Sequence, residues 1–109
     1  MARLDYTEQA RLKNSLIERR SFIERQIRSM NDSIEDSGPE LVKISKSLDL
    51  YRAKLEEATV ESIADIYRDK VEFLEDELKR VDDIRNNAVT QVEELQVKSQ
   101  ELFREIKTL

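Results

Sequence analysis

Between Leu41 and Ala58 an apolar residue falls at every third or fourth position without a miss: Leu41, Ile44, Leu48, Tyr51, Leu55 and Ala58. Steps averaging about 3.5 residues put all of them on one face of an α-helix, as the a and d positions of a coiled-coil heptad. A strand cannot use this pattern, because its faces alternate every second residue. From Val60 onward the seam resumes in a different register, with Tyr67, Leu74, Val81, Ala88, Leu95, Leu102 and Leu109 at d and Val71, Leu78, Val92 and Ile106 at a. Upstream, Leu12, Leu16, Ile23, Ile27, Met30 and Ile34 recur at steps of three, four and seven. The chain is therefore predicted to be all-α, each helix burying a narrow stripe.

Composition decides what kind of helical protein this is. Of 109 residues, 39% are apolar and an equal 39% are charged, with one Gly, one Pro and no Trp. That is too little apolar mass for a thick globular core and matches long helices and coiled coils. A disordered chain would be poor in Leu, Ile and Val and would lack periodicity.

The strongest local punctuation is Asp36-Ser37-Gly38-Pro39-Glu40, where Gly can close one helix and Pro can open the next. A tight reversal is expected there. It separates a first helix over about 3–36 from a second over about 39–58. Between Ala58 and Val60 the heptad phase slips by two residues, which a straight coiled coil absorbs poorly. A break near 58–62 is expected, with Thr59 and Ser62 as alternative N-caps and Asp65 placed for a capping box with Ser62. A long helix over about 60–107 then completes the chain; the alternative is one uninterrupted second helix reaching the C-terminus. The expected fold is a helical hairpin or three-helix coiled-coil-type bundle with a long C-terminal helix, forming a single domain over 1–109.

Helix length carries the functional expectation. A first helix ending near 36 can cover only part of the remaining chain, since each residue adds about 1.5 Å. The seam beyond about residue 74 would then lack an intramolecular partner, and a bare stripe of that length marks an interaction site. Val81, Ala88, Val92, Leu95, Leu102, Phe103, Ile106 and Leu109 are the candidate oligomer or partner interface, with Phe103 as its anchor. Ile84 at g, Val89 and Phe103 at e and Phe73 at c widen the apolar face beyond a two-stranded seam, which favours contacts of three or four helices. An antiparallel homodimer closed by two-fold symmetry is the favoured oligomer.

Charges add a pairing rule. Arg19, Arg20, Arg25 and Arg28 make the first helix locally basic, whereas 69–83 is acidic and places Glu75, Glu77 and Asp82 at e and g. The acidic segment is expected beside the first helix and not beside its own parallel copy. Polar residues also enter the seams: Arg85 and Ser99 at a, and Arg20 between Leu16 and Ile23. They are either registry devices or side chains that reach out to solvent. Tyr6, Phe22, Tyr51, Tyr67, Phe73 and Phe103 stand at helical spacing and are expected to pack.

Several function classes lose their residues. With no His and no Cys, and one Gly, the common triads, zinc sites, thiol nucleophiles and phosphate-cradling loops cannot be built. No enzyme activity, cofactor or metal is expected. The acidic 69–83 segment reads as a wet or partner-facing surface, since bundle metal sites also draw on His. A net charge of −5 disfavours nucleic acid as a partner. No consecutive apolar run exceeds two residues, so neither a membrane span nor a signal-peptide core is expected, and the cytoplasm is the default compartment. The leading expectation is a structural or adaptor protein that self-associates through coiled-coil helices and presents a protein-docking surface. Two other readings are a small chaperone or assembly factor holding a client's amphipathic helix, and a regulator touching nucleic acid through the basic first helix.

Overall fold

The computed structural model describes residues 6–109. The described residues form two helices, α1 over Tyr6–Glu57 and α2 over Glu61–Thr108, and no helix among them is long and apolar enough to cross a membrane. The chain is all-α, but the three-helix arrangement is not formed. The expected start of the first helix near residue 3 lies outside the described residues.

The reversal lies at Ala58–Val60, and the one expected at 36–40 is absent. α1 continues through Gly38 and Pro39, and Gly38 keeps a negative φ. The physical reason lies in the phase of the seam. Ile34 and Leu41 are seven residues apart, so the stripe crosses the Gly-Pro pair in register. A proline inside a helix forfeits one backbone hydrogen bond and crowds the preceding turn, at about 3 kcal/mol. Leaving several Leu and Ile of the seam without cover costs more, at about 1.5–3 kcal/mol for each side chain. Ser37 turns its hydroxyl inward and donates a hydrogen bond to the Ile34 carbonyl at 2.6 Å.

At the true turn the ladder ends with a tight bond from the Ala58 N–H to the Leu55 carbonyl at 3.3 Å. It restarts at Val60, whose carbonyl accepts from Ile63 at 3.1 Å and Ala64 at 2.9 Å. Val60 thus takes the N-cap position expected of Thr59 or Ser62, and Asp65 makes an ion pair with Arg68 at 2.6 Å in place of a capping box.

The chain divides into two units. Unit 1 joins the α1 residues up to Asp32 to Ala88–Leu109, and unit 2 comprises Ser33–Asn87. Unit 2 is an antiparallel helical hairpin around the buried trio Leu48, Val71 and Leu74, against which Ile44, Tyr51, Leu55 and Leu78 pack. Ala64 and Val81 are also buried. In unit 1 the two helix segments again run antiparallel. Leu12 and Leu16 border the same groove as Thr108 and Leu109, while Arg20 meets Ser99. Ile27 and Val92 are its buried aliphatic residues.

Gly38 has nothing within 4 Å of the place a Cβ would occupy. Gly38→Ala is therefore expected to stabilise the protein by about 1 kcal/mol, and Pro39→Ala by up to about 3 kcal/mol. Thermal unfolding followed by circular dichroism checks both; a fall in the midpoint for either substitution would mean that the pair serves as a turn.

Candidate protein-docking surface

The residues expected to form a bare C-terminal stripe are covered within their own units. Val81 and Val92 are buried, and Ala88, Leu95, Leu102, Phe103 and Ile106 are half-buried, while Leu109 stays exposed at the helix end. The bare stripe requires a first helix ending near residue 36, whereas α1 spans 52 residues against 48 for α2. Each part of the α2 seam thus has a part of α1 to pack on. Leu95 is half-buried in the seam of unit 1.

Of the charged residues, Arg20, Glu75 and Glu77 find other partners than composition suggests. Arg19, Arg20, Arg25 and Arg28 lie in unit 1, and Glu75, Glu77 and Asp82 in unit 2. Arg19 borders a groove with Glu101 and Glu105, and Arg25 and Arg28 border one with Phe103 and Ile106. Glu75 pairs across the hairpin with Arg52 at 3.2 Å, and Glu77 pairs one helical turn away with Arg80 at 3.0 Å. The Glu77 carboxylate, through that hydrogen bond and its charge, raises the pKa of Arg80 above its ordinary value. These pairs are solvated, so water screens them and they add little to stability.

Unit 1 contains a polar layer in the seam. Ser99, only 3% exposed, accepts a hydrogen bond from Arg20 Nε at 3.2 Å and donates one to Glu24 Oε1. The Arg20 guanidinium also lies over the Phe103 ring, 4.5 Å from its centre, and Lys107 Nζ stands 4.3 Å from the same ring. A buried hydroxyl is tolerated only when its hydrogen bonds are made, and here both sides of Ser99 are satisfied by α1. Arg20 keeps a foot in solvent at its half-buried position. The layer ties one turn of α1 to one turn of α2 and so acts on register.

The feature of unit 2 that its interior does not use is a second apolar row on α2. With Val71 at a and Leu74 at d, Ile63 and Ile84 occupy g positions, and Ile66 and Phe73 occupy c positions. All four point away from the seam and are 43%, 58%, 65% and 57% exposed, respectively. Across the hairpin, Tyr51 and Lys54 of α1 line the same open groove as Ile66, Tyr67, Asp69, Lys70 and Phe73. Leu50, one turn from Lys54 on the same face, is also exposed. Tyr51 and Tyr67 stack at a tilt, with ring centres 6.1 Å apart. Lys54 and Lys70 stand over the Tyr51 ring at 5.2 and 5.7 Å. The flank thus presents isoleucine and aromatic surface at heptad spacing, edged by lysine. Spacing alone singles out Phe73 and Ile84 as a widening of the seam. Ile63 and Ile66, missed on that reading, carry the same signal, each standing one position before a seam residue.

Among the described residues no cluster of carboxylates is placed to hold a metal ion. Compared with models of known protein families, with characterised proteins and with solved structures, the chain matches none.

The Ser99 layer generates a paired expectation. Ser99→Ala leaves Arg20 and Glu24 able to reach water, so it should cost about 1 kcal/mol. Replacing the layer by leucine at both Arg20 and Ser99 should raise the unfolding midpoint above that of the parent, because a well-packed apolar pair outperforms a buried polar one. Chemical denaturation of the two variants checks the order; a double variant less stable than Ser99→Ala would show that the layer contributes more than register.

Proposed function

We propose that this chain is a non-enzymatic structural or adaptor protein that self-associates, and that the exposed flank of unit 2 is its docking surface. One observation supports the reading above the others. The a/d seam is already satisfied inside the chain, yet Ile63, Ile66, Phe73 and Ile84 remain exposed at heptad spacing on the outside of α2. Apolar side chains at that spacing present what another helix needs in order to pack, and a helical pair docking a second pair makes a four-helix bundle. Scattered single apolar residues on a surface are ordinary, but a row of large ones extending over residues 63–84 is a contact face.

The residue inventory is in keeping with an interaction protein. The polar groups in the flank are charged side chains of both signs, Lys54 and Lys70 over the Tyr51 ring and Asp69 beside them, a composition that suits protein contact. The groove they edge is shallow and open along the helix pair.

Light scattering of the full chain over a range of concentrations tests the proposal. A defined oligomer is expected, and Ile66→Asp combined with Phe73→Asp should reduce it to a monomer with helix content unchanged, since both positions lie outside the interior. A parent protein that is monomeric at every concentration would refute self-association and leave the flank to a helix of a different protein.

A further inference from the structure

We propose that the occupant of this flank is α2 of a second copy, lying antiparallel to the first about a two-fold axis beside Phe73. The inference rests on the self-association reading above and adds the partner, the direction and the register. It comes from the order of residues along the row. The g positions from the turn outward are Ile63, Lys70, Glu77 and Ile84, spaced by seven. Reversed, this series is its own complement. Ile63 of one copy meets Ile84 of the other, Lys70 meets Glu77, and symmetry makes each contact twice. The c positions behave alike: Phe73 stands midway between Ile66 and Arg80, so it meets its own copy near the axis while the Arg80 stem lies along Ile66.

The parallel, in-register alternative opposes Lys70 to Lys70 and Glu77 to Glu77. Like charges at facing positions select against that arrangement. Lys70 also has reason to accept a partner. Among the described residues it has no carboxylate within ion-pair distance, and its Nζ stands 5.7 Å from the Tyr51 ring centre and 5.6 Å from that of Phe73. Glu77 holds Arg80 of its own helix and, as a carboxylate, can accept from a second cation. The same flank of α1 offers little besides Leu50, its neighbouring edge residues being Lys43, Ser47, Lys54 and Glu57. The contact is therefore centred on α2 of each copy. Apolar burial supplies the affinity and the two Lys70–Glu77 pairs supply the direction.

Charge reversal and cross-linking of the full chain test this pairing. Lys70→Glu alone and Glu77→Lys alone should each weaken the dimer roughly tenfold in dissociation constant, because each creates two like-charge contacts. The double reversal should restore it to within about threefold of the parent. In a parallel dimer neither single reversal changes the sign pattern, so no rescue would appear. The chain has no Cys, which makes disulfide trapping free of background. Ile63→Cys mixed with Ile84→Cys should give a mixed disulfide under mild oxidation, with neither variant cross-linking to itself, since the two positions are about 31 Å apart along the helix. Phe73→Cys should cross-link to itself. A parent dimer in which Ile63→Cys self-links, or in which no pair links, would overturn the antiparallel pairing while leaving self-association standing. A monomeric parent would overturn both.

Discussion

Shared heptad phase between α1 and α2 is the constraint on which everything else rests. From Ala64 to Ile106 the inward side chains of α2 keep alternating steps of three and four, and buried or half-buried residues recur at those steps throughout. A two-helix contact has no depth, so no side chain is sheltered by a second layer. Stability must come from many half-buried residues that all face the same way, and one slip in phase would turn the whole following stripe to solvent. This explains why α1 tolerates a proline in its interior. The cost of one missing hydrogen bond is local, whereas the cost of abandoning the phase falls on every later turn.

The polar residues in the seams are where the apolar pattern is interrupted, and one of these sites shows how the interruption is accommodated. Ser99 is small enough to be enclosed, and Arg20 and Glu24 reach it from α1, so donor and acceptor are both used. Arg20 then lays its guanidinium on Phe103, which lets a charged side chain occupy a seam position without being desolvated. Such a layer is less stabilising than leucine but matches only one alignment of the two helices. In a contact made of near-identical aliphatic layers, alignment is the property most easily lost.

Outside the seam, the flank of unit 2 has a different physical character from the rest of the helix surface. Its isoleucines and Phe73 lie outside the buried seam of the hairpin that carries them, and their exposure carries a solubility cost. Lysine stems and paired charges temper that cost along the edges. The arrangement of Lys70 and Glu77 within the row gives direction to any helix that packs there, because direction is set by where charges face each other and strength by how much apolar surface is covered.

Much of this architecture was legible in the chain itself. Helicity, the a/d assignments of α2 and the phase slip at Ala58 and Val60 are local properties, readable from spacing alone, because side-chain direction in a helix follows from sequence separation. The place of the reversal was legible too, but in the wrong-looking signal: Gly38 and Pro39 are strong breakers by propensity, while Ile34 and Leu41 seven residues apart indicate that the helix continues. Spacing alone could not decide which stripe would be covered. The cover over Val92 and Leu95, the partners chosen by Glu75 and Glu77, and the exposure of Ile63, Ile66, Phe73 and Ile84 all depend on how far α1 extends and which residues lie opposite. Those are facts about two segments meeting in space, and propensity acts on each segment separately. Periodicity determined that this protein would be built of striped helices; only their packing determined which stripe became interior and which was left to face a partner.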